Sequence, residues 1–211
     1  MTTRHSPQAG TRHVIVRAGE ADTDVLSQVI ADAFFPLAPC QWLIPDEAAR
    51  RDIFPAYFRM YVEHAMEDGI VDTTPDRTAA ALWIPGTGPA EPPASYTGQL
   101  AAITGSFLDR FLAFDQELDS HHPAGTFHHH MAILGVLPDR QGQGTGTALL
   151  EAHHATLDEL GIPAYLEASD QHTRRIYLHH HYSDQGNPIQ LPGGPQMYPM
   201  WRSPHDHNRA G

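Results

Sequence analysis

The stretch PDRQGQGTGTALLEAHH, residues 138–154, decides how the rest of the chain is interpreted. Three glycines, Gly142, Gly144 and Gly146, alternate directly before an apolar pattern that predicts a helix. Glycine costs about 1 kcal/mol relative to alanine inside a helix, so three of them need a reason. The start of a helix supplies one, because its N–H groups and its dipole attract anions and glycine lets a ligand approach the backbone.

Spacing excludes two other phosphate-binding loops. A P-loop needs a lysine after its last glycine, and no lysine follows here. A dinucleotide fingerprint needs G-x-G-x-x-G after an early strand, whereas this chain has G-x-G-x-G late in the sequence. A pyrophosphate cradle remains, with a purely structural glycine-rich turn as the alternative.

The composition is that of an acidic globular chain. Hydrophobic residues make up 41% of its 211 residues, which is enough to form a core. With 13 Lys and Arg against 25 Asp and Glu, the net charge of −12 argues against nucleic acid or an anionic membrane surface as partner. It is compatible with a cationic amine as substrate. The single cysteine, Cys40, excludes an internal disulfide and suits a reducing compartment.

Hydropathy gives no sign of export or membrane insertion. The first residues, MTTRHSPQAGTRH, lack the apolar segment of a signal peptide, and no apolar run approaches the roughly 20 residues that span a bilayer. We therefore expect a cytoplasmic protein with no membrane partner, as a monomer or homodimer.

Sixteen histidines raise the question of a metal site. HHH occurs at 128–130 and at 179–181, and His121 and His122 form a third group. Consecutive histidines in a strand point to opposite faces, and neither H-E-x-x-H nor C-x-x-C is present. The prediction is that the chain binds no metal.

Alternating strand and helix patterns predict one α/β domain over residues 13–203, with flexible segments at 1–12 and 204–211. The expected strands cover 13–20, a hairpin at 70–88, a buried strand at 126–138, and 162–169 and 196–203. The expected helices cover 21–35, 45–69, 94–120 as one or two pieces, the segment after the glycines to Leu160, and 172–181, with PLAPCQW (36–42) as a connection.

The segment QGQGTG (141–146) fits the pattern Q/R-x-x-G-x-G/A and resembles the acetyl-CoA loop of the GCN5-related N-acetyltransferase (GNAT) superfamily. GVLPD before the loop, TALLEAHHATLDELG after it and PAYLEAS (163–169) are similar to the family as well. The resemblance covers roughly 126–203 and is greatest to the puromycin N-acetyltransferase-like branch. It implies a GNAT fold: a mixed, mostly antiparallel sheet, a splay between the fourth and fifth strands, and helices on both faces.

The resemblance also implies how acetyl-CoA binds as co-substrate. Backbone groups of the loop and of the strand before it would hold the pyrophosphate and the pantetheine arm, namely those of Leu134, Gly135, Val136, Gln141, Gly142, Gln143, Gly144, Thr145, Gly146 and Thr147. Tyr177 matches the family's tyrosine beside the thioester sulfur and would protonate the departing thiolate.

Two positions depart from the family pattern. Thr173 stands where an asparagine is expected four residues before Tyr177, and it could still cap the helix and hold the CoA arm. His181 stands where a glycine often permits a left-handed turn, so the helix is expected to end differently.

An alkyl amine is mostly protonated at neutral pH, so the reaction needs a base. Glu167 is the first candidate, directly or through a water, and His129 or His130 is the second; a solvated strand-edge residue is the alternative. Phe35 and Trp42, beside prolines in the expected connection, are predicted to line the acceptor pocket together with these histidines.

The sequence thus predicts an acetyl-CoA-dependent N-acetyltransferase acting on a primary amine of a small molecule, such as an antibiotic or secondary metabolite. Two alternatives stay open. One is a protein or peptide N-acetyltransferase, although the segment between about residues 86 and 126 could roof the site. The other is a non-catalytic acyl-CoA-binding module, which has no use for Tyr177.

Overall fold

The computed structural model describes residues 13–89 and 92–205. Residues 1–12 and 206–211, assigned to the flexible ends in the sequence prediction, lie outside this range. The first two residues of the predicted tail, Pro204 and His205, are described, and the His205 N–H donates to the Asp158 carboxylate at 2.8 Å.

Strands and helices alternate along most of the chain. The strands are β1 (Val16–Arg17), β2 (Ile70–Thr73), β3 (Ala79–Gly86), β4 (His128–Val136), β5 (Ala164–Ala168), β6 (Ser183–Asp184), β7 (Ile189–Gln190) and β8 (Gln196–Arg202). The helices are α1 (Thr23–Phe34), α2 (Ala38–Leu43), α3 (Glu47–Asp68), α4 (Tyr96–Thr104), α5 (Leu108–His121), α6 (Thr145–Leu160) and α7 (Gln171–His179). None of the described helices has the length and apolar character needed to cross a membrane.

The strands form one mixed sheet in the order β1-β2-β3-β4-β5-β8-β6, with β7 paired to β8. Every pairing is antiparallel except that of β4 with β5. Each sheet face is covered by helices, because side chains alternate between two faces along a strand and both sets are apolar here. This confirms the α/β fold class, with a mixed, mostly antiparallel sheet and helices on both faces.

The sheet separates two large hydrophobic cores, one on each of its faces. On one face, residues of α1 to α5 pack on Ala80, Leu82 and Ile133, and α3 contributes the buried aromatic side chains of Phe54, Tyr57 and Phe58. On the other face, α6 packs through Leu149, Leu150 and Leu157 against Trp83 and Met131.

Two details of the first half differ from the sequence prediction, and a third concerns a proline inside a helix. The first strand is only Val16–Arg17. The segment expected as a connection contains α2, where Pro39 lies in the first turn and costs no hydrogen bond. Pro55 does not end α3, although a proline inside a helix costs about 3 kcal/mol. Packing of the buried α3 face offsets that cost.

The strands β4 and β5 pair only at their beginnings. His129 lies opposite Ala164 and His130 opposite Tyr165, whereas Met131 to Val136 and Leu166 to Ala168 have no partner in the other strand. A register shift between Leu82 and Trp83 leaves Ala132 as an extra residue in β4, just where the separation begins. The implied splay between the fourth and fifth strands is thus confirmed. It opens toward the carboxyl ends of both strands.

Candidate active site

The glycine loop stands at the open end of the splay. Gly142 and Gly144 both have positive φ, at 72° and 89°, and Gly144 is the residue before the first turn of α6. Positive φ is a conformation that side-chain-bearing residues rarely adopt, which explains these two glycines. The N–H groups of the first helical turn have no acceptors within the helix and so can bind an anion.

Gly146 has a different reason to be glycine. A Cβ there would meet Val136 Cγ2 at 3.7 Å and Leu134 Cδ2 at 4.0 Å, both ordinary contacts, so the fold itself would accept alanine. Two glutamine side chains outside the helix hold the loop in place. Gln141 donates to the Val136 carbonyl at 3.0 Å, and Gln143 donates to the Asp139 carbonyl at 3.2 Å. Close approach of a ligand would explain the missing side chain.

The other residues that were predicted to bind acetyl-CoA lie around the same end of the splay. Leu134, Gly135 and Val136 belong to the part of β4 that β5 leaves, and Thr145 is buried at the start of α6 while Thr147 is exposed. Gly135 packs against α1, where its Cβ would meet Ala33 at 3.3 Å.

Tyr177 lies on α7, which follows β5 at this end. Its ring is partly buried in the core between the sheet and α6, with the ring centre of Tyr182 5.8 Å away. Burial, with the Asp170 carboxylate, raises the pKa of the Tyr177 phenol well above its ordinary value. The phenol is therefore protonated at neutral pH.

The two departures from the family pattern have structural outcomes. Asp170, not Thr173, caps α7: its carboxylate accepts from the Thr173 N–H at 2.7 Å, while the Thr173 hydroxyl accepts from the Asp170 N–H at 3.1 Å. His181 has a φ of 65°, so it takes the left-handed conformation itself. The expectation that the helix ends differently is wrong, because histidine accepts this conformation more readily than most residues.

Glu167 and His130 form a partly buried pair where the splay begins. His130 Nε2 lies 2.8 Å from Glu167 Oε2, and the exposed fractions of the two side chains are 20% and 6%. Burial would raise the pKa of Glu167, but the charge and hydrogen bond of His130, with smaller contributions from His122 and Tyr165, hold it below its ordinary value. Glu167 is therefore a carboxylate at neutral pH, fixed against an imidazole.

His129 points to the opposite face of the sheet. Its Nδ1 lies 3.0 Å from His153 Nε2, and His153 Nδ1 lies 3.1 Å from the Asp72 carboxylate. The His153 ring stacks on Trp83 with the ring centres 4.0 Å apart. Burial, then the neighbouring His153 and His128, lower the pKa of His129 to about 4. The structure thus places His130, but not His129, beside Glu167.

Helix α5 brings carboxylates near this pair that the sequence prediction missed. Asp115 and Asp119 are one turn apart on α5; burial, with the charge of Glu167, raises the pKa of Asp119. The Tyr96 hydroxyl donates to Asp115 at 2.7 Å. Burial and then the charges of Asp115, Glu167 and Asp119 raise the pKa of Tyr61, which puts acidic side chains in the neighbourhood of its ring. The available sequence signal was the i, i+4 pair of aspartates on an amphipathic helix.

The two predicted aromatic pocket residues contact a pair of arginines and the turn between β7 and β8. The Phe35 ring lies under the guanidinium groups of Arg50 and Arg51, at 4.5 and 4.8 Å. Trp42 lies in α2, and its Nε1 donates to the Pro192 carbonyl at 3.1 Å, which joins α2 to the turn between β7 and β8. These contacts give both rings a role in packing, and their part in an acceptor pocket stays a prediction.

A cavity of about 350 Å³ lies on the outer side of the glycine loop. Arg140, Gln143 and Thr145 form one wall, and the turn between β2 and β3 forms the other. It borders the loop rather than the Glu167–His130 pair. Its size and its arginine suit a polar ligand part that extends away from the splay.

Several solved structures with the same architecture are described as acetyltransferases. A Corynebacterium glutamicum protein described as histone acetyltransferase HPA2 and related acetyltransferase has a TM-score of 0.68 at 18% identity, covering 94% of this chain and 99% of its own. Arylalkylamine N-acetyltransferase 2 from Aedes aegypti has a TM-score of 0.61 at 13% identity, covering 91% and 99%. An agmatine N-acetyltransferase has a TM-score of 0.53 at 17% identity, covering 89% and 97%.

No protein-family model matches the chain. At these identities the likeness is one of fold. The chain has the GNAT fold.

Proposed function

We propose that this protein is an acetyl-CoA-dependent N-acetyltransferase that acylates an amine of a small molecule. One observation carries the proposal: the splay between β4 and β5 has a glycine-rich helix start at its open end and the Glu167–His130 pair where it begins. A donor held by backbone groups and an acceptor deprotonated by side chains would meet between the strands.

The residues present suit acetyl-CoA as the donor. The loop offers N–H groups at a helix start, and the missing side chain at Gly146 leaves room beside Val136. The separated part of β4, from Leu134 to Val136, has main-chain groups facing the gap that β5 leaves. A pantetheine arm would pair with them as an added strand does.

The chemistry would be direct transfer between two bound substrates. A neutral amine nitrogen forms a bond to the thioester carbonyl carbon, a β4 N–H stabilises the oxyanion, and the C–S bond breaks as the tetrahedral intermediate collapses. The amine proton passes to the Glu167–His130 pair, directly or through a water. The Tyr177 phenol, which is protonated at neutral pH, gives its proton to the leaving thiolate.

The acceptor side supports a small cationic amine. Asp115, Asp119 and Glu167 supply negative charge there, and Tyr61 and Tyr96 supply aromatic surface. Tyr96 of α4 and Asp119 of α5 lie on this side, so the segment between about residues 86 and 126 would roof the site and leave no open groove for a peptide. The arylalkylamine and agmatine enzymes among the similar structures act on amines of this kind. The finer resemblance to the puromycin branch, and with it a role in antibiotic resistance or secondary metabolism in the cytoplasm, stays part of the proposal.

A panel of amines tests the function. The full chain is incubated with acetyl-CoA and with monoamines, diamines, arylalkylamines or a short peptide, and CoA release and acetylated product are measured by absorbance and mass spectrometry. We expect acetylated small amines and no acetylated peptide. Acetyl-CoA binding in calorimetry with no product from any acceptor would favour the binding-module alternative, and acetylation of the peptide alone would favour the peptide alternative.

A further inference from the structure

A third side chain completes a cluster around the Glu167–His130 pair. His122, the residue after α5, presents a ring nitrogen such that the ligating atoms of His122, His130 and Glu167 all lie within 4.8 Å of one another. The three residues come from the end of α5, from β4 and from β5. The His122 ring centre is 4.8 Å from that of His130 and 4.7 Å from that of Tyr165.

The carboxylate in this cluster has an unsatisfied oxygen. The Glu167 side chain is only 6% exposed, and its Oε1 is buried with no hydrogen-bond partner among the described residues. The Tyr165 hydroxyl lies close enough to lower the pKa of this carboxylate, but its geometry as a donor fits the His121 carbonyl, at 3.5 Å, and leaves Oε1 without a hydrogen bond. A buried carboxylate oxygen without a partner is costly, and a bound cation would satisfy it.

The hydrogen bonds of His128 fix the tautomer of His122. His128 Nδ1 lies 2.8 Å from the Thr126 carbonyl, which can only accept, so Nδ1 carries the proton of the neutral ring. His128 Nε2 is then an acceptor, and its partner at 3.1 Å, His122 Nε2, must be the donor. The lone pair of His122 therefore lies on Nδ1, and its other nitrogen is oriented by a hydrogen bond, as in metal-ligating histidines.

We propose that His122, His130 and Glu167 bind a divalent transition metal ion, with Zn²⁺ as the preferred ion. Two imidazoles and one carboxylate are a ligand set of open zinc sites, which keep a fourth position for solvent. Mg²⁺ and Ca²⁺ prefer sites made of oxygen ligands, so two nitrogen ligands disfavour them. This proposal runs against the sequence prediction of no metal, which considered only neighbours in the chain.

Zinc would act as an inhibitor if the proposed function holds. The ion would occupy the His130 nitrogen and the Glu167 oxygens that are proposed to receive the amine proton. Binding itself needs neither acetyl-CoA nor an amine, so it can be measured even if the chain acetylates nothing.

Calorimetry of Zn²⁺ binding to the metal-stripped, tag-free full chain tests the site. We expect one equivalent bound by the wild type and a Kd at least about tenfold weaker in both H122A and E167Q. H179A is the matched control, since it removes one imidazole from the other histidine triplet, and its Kd should equal that of the wild type. Circular dichroism checks that each variant is folded, and the near-isosteric E167Q guards against loss of fold in H122A.

Two results would overturn the site: unchanged Zn²⁺ affinity in H122A and E167Q, or an equal loss in H179A, which would mean adventitious binding to surface histidines. In the acetylation assay, Zn²⁺ should inhibit wild type and H179A at the concentrations that saturate binding. Inhibition without measurable binding would also count against it.

Discussion

The adjacent residues His129 and His130 lie on opposite faces of β4 and in opposite environments. His129 belongs to a hydrogen-bonded series that runs from Asp72 through His153 to His129. Helix α6 and the Trp83 ring cover this series. His130 faces Glu167, beside the region that α3 and α5 surround. The same residue type is thus structural on one face and proposed to be catalytic on the other. The two environments differ because α6 and Trp83 enclose His129, whereas His130 lies beside the gap between β4 and β5.

The largest effect should come from Glu167. E167Q keeps the shape of the side chain but cannot accept a proton at neutral pH, so we expect kcat to fall by about 10² to 10⁴-fold. Steady-state kinetics with the best amine of the panel measures it. The comparison between the two faces requires that H129Q keep kcat near the wild-type value; a similar loss in both variants would contradict it.

Tyr177 should have the next largest effect. Y177F removes only the hydroxyl, and we expect kcat to fall by up to about 10²-fold with little change in acetyl-CoA affinity, since the proton donor to the thiolate is lost. Y182F is a suitable control, because Tyr182 lies beside Tyr177 and hydrogen-bonds to His154 instead. Unchanged CoA release in Y177F would show that another group or solvent supplies this proton.

Gly146 separates ligand recognition from folding. A Cβ at this position meets only ordinary contacts, so G146A should fold at least as well as the wild type, while its methyl group should keep the donor from the backbone. We expect acetyl-CoA affinity to fall by about tenfold, or about 1.4 kcal/mol. Calorimetry and thermal unfolding measure both quantities. Full affinity in G146A would mean that the donor does not approach this part of the loop.

The smallest effect on activity is expected at His129, where the prediction concerns acid stability. The pKa of His129 is about 4 in the folded chain and near 6.5 when unfolded, so between these values the unfolded state binds more protons. The stability that the folded chain has while His129 is neutral is fully present above pH 6.5. It is lost as the pH falls toward 4, by up to about 1.4 kcal/mol for each pH unit.

Because H129Q removes this group, the free energy of unfolding should fall less steeply from pH 6.5 to 5 in H129Q than in the wild type. Denaturant unfolding at several pH values measures the slope. Equal slopes would show that protonation of His129 is not coupled to unfolding.

The loop and helix start that we propose to bind acetyl-CoA could be predicted from the sequence because their signals are local. Backbone conformation and helix start are set by neighbouring residues, so Gly142, Gly144 and the start of α6 could be placed from their spacing alone. The strand and helix pattern after residue 126 is likewise short-range, and α7 and β8 were found close to their observed bounds.

The side chains on the proposed amine side of the site could not be predicted to lie together, because contacts between residues distant in sequence bring them there. Glu167 and His130 are 37 positions apart, and His122 and Asp119 join them only because α5 packs over the sheet at the splay. The pocket prediction for Phe35 and Trp42 rested on nearby prolines, whereas packing placed Trp42 in a helix that contacts the turn after β7.

The sequence by itself determined the glycine loop, the order of the longer strands and helices and the resemblance to acetyl-CoA-binding proteins, because each depends on residues close together in the chain. Only the tertiary structure decided which histidine faces Glu167. A single extra residue in β4 and the packing of α5 set that choice, and neither leaves a periodic signal in the sequence.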